Sequence, residues 1–172
     1  MKRQRGFTLI ELLIVVAIIL IIAAIAIPNL LRARITANEA SAVGSMRTIL
    51  TAEIQYAAAG WISGGNPVGF SNKLTDLGGV PPCAAPTATN TCLIDASLAA
   101  ADTAGLNQPK SGYGFTYGPT KGGAGAPTNI DFDLNGDPAV VGQTGNRHFY
   151  TDQSGVIRGN PTAKAGKPDL PI

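Results

Sequence analysis

The sequence predicts an α+β fold, in which one long amino-terminal helix packs against a small antiparallel β-sheet head. Three observations support this fold class. Residues 12–27 are sixteen uninterrupted apolar residues, and apolar residues then recur at helical spacing to about residue 59. After Gly60 the composition changes to eighteen further glycines and eleven of the twelve prolines, which is typical of short strands joined by turns.

The amino-terminal segment is long enough to cross a membrane. As a helix, residues 7–31 would span ~37 Å at ~1.5 Å per residue, compared with a hydrocarbon core of ~30 Å. Its only polar residues are Thr8, Glu11 and Asn29. Basic residues that precede such a segment stay on the cytoplasmic side, and here they are Lys2, Arg3 and Arg5.

Glu11 is the unusual residue of this segment. A carboxylate deep in a membrane-spanning helix costs roughly 2.5–3.5 kcal/mol on insertion scales, so it requires a partner. If the chain is cleaved after Gly6, Phe7 acquires a positive α-amino group one helical turn from Glu11. The two charges could then neutralise each other within one chain or between neighbouring chains.

The sequence Gly-Phe-Thr-Leu-Ile-Glu-Leu-Leu at residues 6–13, with its basic leader and Pro28, resembles the prepilin signal of type IV pilins and type II secretion pseudopilins. The resemblance covers about the first third of the chain. It implies the pilin fold, and it implies that a prepilin peptidase and methyltransferase cleaves after Gly6 and N-methylates Phe7. Glu11 would then pair with the Phe7 amine of a neighbouring subunit during filament assembly.

The resemblance also implies a function and a location. The chain would be a structural subunit of a helical pilus filament, made of copies of itself and assembled by an inner-membrane platform with an ATPase. It would cross the bacterial inner membrane once, with its head in the periplasm, before entering a pilus or pseudopilus. The same signal fits the major pseudopilin of a type II secretion system. A membrane-anchored periplasmic binding module that does not polymerise is a second alternative, but it gives Glu11 no role.

Two other interpretations of the apolar segment are weaker. Ala24-Ile25-Ala26 imitates the cleavage site of a conventional secretory signal, but the carboxylate and the length of the apolar run argue against one. A buried core helix would need more apolar surface than the rest of the chain offers.

We therefore divide the chain into four segments. Residues 1–6 are the leader, residues 7–31 the membrane or filament-core half of the helix, residues 32–60 its amphipathic half, and residues 61–172 the head. Pro28 lacks a backbone N–H and should kink or locally unwind the helix. Helical spacing predicts one buried face in the amphipathic half, formed by Val43, Met46, Leu50, Ile54, Ala57 and Trp61.

Within the head, the pattern predicts short helices at residues 72–77, with Ser71 as a possible cap, and at residues 93–101. Alternating residues predict strands at 113–117, 130–134, 148–151 and 156–158, the last two joined by a turn at 152–155. The tail, residues 160–172, is rich in proline, lysine and glycine and is predicted to be disordered.

Cys83 and Cys92 should form a disulfide, because paired cysteines in an exported, loop-rich domain are usually bonded. They lie mid-chain, whereas type IV pilins commonly carry their cystine near the carboxyl terminus. A zinc site would lack ligands, since His148 is the one histidine.

A run of acidic residues resembles the first half of a calcium-binding EF-hand loop: Asp131, Asp133, Asn135 and Asp137. Gly142 stands where that loop requires a bidentate glutamate. The same residues fit a strand with solvated acids, followed by an Asn135-Gly136 turn. We therefore predict no metal site here, with calcium as the alternative.

Composition argues against nucleic-acid binding and catalysis. The formal net charge is +2, but without the leader ten basic residues face eleven acidic ones and no basic cluster remains. No serine or cysteine has a recognisable nucleophile context, and no glycine-rich phosphate loop occurs. The sequence therefore predicts a protein that is not an enzyme and that has no cofactor.

Overall fold

A computed structural model of the chain describes residues 7–63, 65–79, 83, 85–102, 108–123 and 127–172. The chain divides into two units, residues 1–34 and residues 35–172, and we call the second the head unit. Helix α1, Leu9–Ala58, contributes to both. It ends just before Gly60, whose φ of 66° lies in the left-handed region that glycine adopts readily after a helix.

Strands and two short helices complete the head unit. A small hairpin pairs β1, Ile62–Ser63, with β2, Asn66–Pro67. Helices α2, Leu74–Leu77, and α3, Ala96–Ala99, follow. The main sheet is an antiparallel meander in the order β3-β4-β5-β6, built from Tyr113–Lys121, Asn129–Pro138, His148–Asp152 and Arg158–Asn160. The predicted α+β fold, a long helix with a small antiparallel sheet, is confirmed.

The core of the head unit lies between α1 and the main sheet. Alternation along each strand sends aromatic side chains to one face, where Phe115, Phe132 and Phe149 are buried together with Met46 and Ile49 of α1. Gly136, near the end of β4, permits this approach, since a Cβ there would come within 3.3 Å of Met46 Sδ. Asn135 and Gly136 therefore belong to a strand, and the predicted turn at these residues was wrong.

The buried face of α1 differs from the predicted one. Met46 and Leu50 are buried as expected, but Ile54 is 67% exposed, and Glu53 beside it is fully buried. The observed face only partly overlaps the predicted one and consists of Ala42, Ser45, Met46, Ile49, Leu50, Ala52, Glu53 and Tyr56. Apolar spacing alone selected Ile54, because a carboxylate is expected on a solvated face.

Two further expectations required correction. Ser71 does not cap α2, which follows Lys73 and has no side-chain cap; it bonds to Glu53 instead. The tail is not disordered: Gly159 N–H donates to Leu170 O, and Ile172 N–H donates to Ile157 O, both at 3.1 Å. Residues 170–172 thus lie along the edge of β6, where their backbone groups find partners.

Helix α1 is continuous across Pro28. The local unwinding predicted there does not occur in this structure, and the predicted kink stays a prediction.

Candidate functional site

The first residues of α1 form a capping arrangement. Thr8 precedes the helix, and its backbone N–H and hydroxyl donate to Glu11 Oε2 at 2.8 and 2.6 Å. The Glu11 N–H in turn lies 3.3 Å from Thr8 Oγ1. A threonine followed three residues later by a glutamate is the capping box, in which the two residues satisfy each other's free backbone donors. The spacing of Thr8 and Glu11 is the sequence signal of this arrangement, although the sequence-based expectations did not include it.

Thr8 supplies the hydrogen bonds of the Glu11 carboxylate, and among the described residues Glu11 makes no ion pair. Gly6, the predicted cleavage site, lies outside the described residues. The carboxylate and Phe7 are both exposed, so a partner can reach them.

The apolar surface that follows Glu11 is uncovered. In residues 7–34 every side chain is exposed except that of Ala23, which is half-buried. This part of α1 is long and apolar enough to cross a membrane, with a mean hydropathy of 3.3 over its most apolar window. A hydrophobic surface of this size has to be covered by lipid or by other helices.

The comparisons with known proteins concern this same segment. Residues 1–27 match the family model of the prokaryotic N-terminal methylation motif. The chain is also similar, over part of its length, to two type IV pilins. It is 67% identical over 39 residues to the type IV wide pilus major component PilA4 of Thermus thermophilus. It is also 48% identical over 54 residues to the type IV major pilin protein PilA of Myxococcus xanthus.

The similarity to both pilins is local. It covers 23% and 31% of this chain, and 30% and 24% of the two relatives, so the chain spans less than a third of either. No solved structure matched the chain significantly. The head unit is therefore described from its own contacts.

The acidic residues of β4 do not converge. They occupy alternate positions of the strand, and each has a different partner. Asp137 lies 2.6 Å from His148 Nδ1, Asp133 accepts from the Tyr150 hydroxyl, and Asp131 lies 3.8 Å from Lys167 Nζ. Asn135 donates to Ala165 O at 2.9 Å. In the part of the chain that the structure describes, no group of three or more acidic, histidine or cysteine residues is placed to hold a metal ion.

Cys83 and Cys92 are joined by a disulfide in the structure. It closes a loop beside Gly79, where a Cβ would lie 2.0 Å from Cys92 Sγ. The bridge therefore packs directly on the backbone that follows α2, where the Cys92 N–H also donates to Gly78 O at 2.9 Å. The loop is anchored to the short helices and lies outside the main sheet.

A carboxylate clamp fastens α1 to the loop before β5. Glu39 Oε1 accepts from the backbone N–H groups of Asn146 and Arg147 at 3.0 and 3.2 Å, and Oε2 accepts from Arg147 Nε at 2.9 Å. Burial would raise the pKa of Glu39, but these hydrogen bonds and the guanidinium charge outweigh it and lower the pKa. Asn38, one residue earlier, donates to Thr144 O at 2.8 Å.

A buried polar network, which sequence reasoning missed, holds α1 to the sheet from inside. Glu53 Oε1 and Oε2 accept from the hydroxyl and the backbone N–H of Ser71 at 2.5 and 3.0 Å. Ser71 O accepts from the Tyr117 hydroxyl at 3.1 Å and from Asn129 Nδ2 at 2.9 Å. The Asn129 side chain also donates to Phe70 O, so three elements meet at one serine. No local pattern could reveal it, because the partners lie far apart in the chain.

Proposed function

We propose that this chain is a prepilin whose processed form is a structural subunit of a type IV pilus filament. The observation that carries the proposal is the exposed Glu11 carboxylate at the start of an uncovered apolar helix, within a segment homologous to those of type IV pilins. The carboxylate does not suit a helix that remains alone in lipid, because an unpaired carboxylate there is costly.

Processing would create the partner that Glu11 lacks. Hydrolysis of the bond between Gly6 and Phe7 frees the Phe7 amine, which a prepilin peptidase and methyltransferase would then methylate. The methylated amine keeps its positive charge. It could attract the Glu11 carboxylate of a neighbouring subunit and so set the axial register, while the apolar helix surfaces supply most of the attraction.

The remaining partners and the location follow from the same proposal. The head would face the periplasm while residues 7–31 cross the inner membrane, and an ATPase-driven platform would move the subunit into the filament. A pseudopilin of a type II secretion system would use the same steps, but the named relatives belong to type IV pili. An anchored binding module would leave Glu11 without a function.

The decisive experiment compares Glu11→Ala with wild type in an assembling cell. Insertion should persist, because the helix becomes more apolar, and cleavage after Gly6 should also persist. The share of subunit in sheared filaments should fall at least about tenfold, which corresponds to ~1.4 kcal/mol in the assembly equilibrium.

Two variants control this experiment. Glu11→Gln keeps the shape and removes the charge, so it should also fail, although less completely. Glu39→Gln removes a carboxylate from the same helix outside the apolar segment and should still assemble. Assembly of Glu11→Ala at the wild-type level would refute the pairing mechanism, and a mature amino terminus other than Phe7 in intact-mass spectrometry would refute the prepilin assignment.

A further inference from the structure

The buried carboxylate of Glu53 has hydrogen bonds but no counter-charge. Its side chain is fully buried, yet no described lysine, arginine or histidine forms an ion pair with it. Its hydrogen bonds at 2.5 and 3.0 Å both come from Ser71, a neutral residue. Removing a carboxylate from water without a cation costs free energy, and proteins usually meet that cost by keeping the group protonated.

The titratable groups that face Glu53 include a second buried carboxyl, whose negative charge opposes the ionisation of Glu53. Tyr56 of α1 and Tyr117 of β3 present neutral phenols, with the Tyr56 hydroxyl donating to Ala88 O at 2.7 Å. Asp76 of α2 is a second buried carboxyl, and its Oδ1 has no hydrogen-bond partner among the described residues. Lys121 of β3, a positive group on this side of the network, donates to Asn72 Oδ1 and Asn129 Oδ1 rather than to Glu53.

We propose that Glu53 is a proton-controlled latch between helix α1 and the sheet of the head unit. With a proton bound, Glu53 is a neutral member of the network and the head unit has its highest stability. When the proton leaves, the negative charge stays buried without a cation and the head unit becomes less stable. The contact to Ser71 survives in both states, since the serine hydroxyl donates to the carboxylate and the protonated acid can donate to the serine oxygen.

The direction of the effect follows from linkage. Burial is the largest influence and raises the pKa of Glu53, although hydrogen bonds from Ser71 and Tyr117 oppose it; the negative charge of Asp76 adds to the rise. Burial likewise raises the pKa of Asp76. A carboxyl group whose pKa is higher in the folded protein stabilises the fold fully below its ordinary pKa, which is about 4.3 for glutamate. This stabilisation is lost as the pH rises through the pKa of the group in the folded protein. The latch is thus closed in acid and weakened towards neutral pH.

The test follows unfolding of the full chain in detergent from about pH 4.5 to about pH 8. Trp61, the one tryptophan, lies 6.2 Å from the Tyr56 ring and reports on the head by fluorescence. We expect the wild-type Tm to fall over this range, because Glu53 loses its proton while it is still buried. Glu53→Gln, which imitates the protonated acid, should flatten this fall and have the higher Tm at pH 8.

Two other variants make the result specific. Ser71→Ala removes the hydroxyl hydrogen bond that lowers the pKa of Glu53, so it should make the fall with pH steeper. Glu39→Gln is the matched control: it removes a salt-bridged carboxylate whose pKa is lowered, so it should leave the fall above about pH 4.5 unchanged.

Parallel Tm curves for wild type and Glu53→Gln would overturn the proposal. If Glu53→Gln does not fold, carbon-13 NMR of the wild-type glutamate carboxyls decides the matter. A Glu53 resonance that titrates above about 4.3 supports the latch, and one that titrates at or below this value refutes it.

Discussion

Asn129 should be among the most sensitive polar positions in the head unit. Its fully buried amide donates to Phe70 O at 2.8 Å and to Ser71 O at 2.9 Å. In Asn129→Ala, Ser71 O keeps the Tyr117 hydroxyl as a donor, whereas Phe70 O loses the side-chain donor. A half-buried carbonyl left without a donor costs up to about 1–3 kcal/mol, and the second lost bond costs about 0.5–1.5 kcal/mol. We therefore expect Asn129→Ala to lower the free energy of unfolding by about 2–4 kcal/mol.

Thermal unfolding of the full chain in detergent, followed by Trp61 fluorescence, measures this loss. It should lower Tm by roughly 5–15 °C in a chain of this size. Asn135→Ala is the matched control, because the amide of Asn135 donates to a single distant carbonyl, Ala165 O, at 2.9 Å, and its loss should cost about 1–2 kcal/mol. If Asn129→Ala were no more destabilising than Asn135→Ala, the network would not connect α1 to the sheet as described.

Three further predictions concern the rest of the head unit. Cys83→Ser should destabilise it by about 2–3 kcal/mol, the chain-entropy value for a bridge with a sequence separation of 9, and the variant's Tm should match that of reduced wild type. Asp95→Ala should cost about 1 kcal/mol, because Asp95 caps α3 through the Leu98 N–H. The Lys110 ammonium and the Ser97 hydroxyl lower the pKa of Asp95 to about 2. The stabilisation that Asp95 provides is therefore present above its ordinary pKa of about 3.9 and is lost as the pH falls towards 2. The difference in free energy of unfolding between Asp95→Ala and wild type should shrink over that range. Millimolar calcium should leave Tm unchanged, whereas a rise that Asp133→Ala abolishes would establish the calcium site that we consider unfavourable.

The elements of this fold were predictable where a local pattern determines them. The apolar run indicated the position of α1, and alternation at Tyr113, Phe115 and Tyr117 indicated β3. Boundaries were less accurate, because β4 continues to Pro138 through an Asn-Gly pair that resembles a turn. Pairing with β3 and β5 over these residues outweighs their local preference for a turn.

The candidate assembly site stays a prediction, and its residues could be proposed from the sequence for a different reason. Gly6, Phe7 and Glu11 belong to one short segment, so their spacing is visible in the sequence. The Glu53 network is not, because the stability of a buried carboxylate depends on partners brought together only by the fold. The difference in the buried face of α1 has the same origin: Ile54 has the better side chain for a core, but Glu53 has Ser71 opposite it.

The return of residues 170–172 to the edge of β6 constrains how this protein can be labelled. Any peptide attached after Ile172 would begin beside the backbone of residues 157–159, and the Ile172 side chain already packs closely there, since a Cβ at Gly159 would lie 2.8 Å from Ile172 Cγ2. A carboxyl-terminal tag rich in β-branched residues would tend to extend the sheet and offer a new edge to other molecules. The exposed β1–β2 hairpin, at Ile62–Ser63 and Asn66–Pro67, is a better site for an inserted epitope, since neither strand contributes to the main sheet.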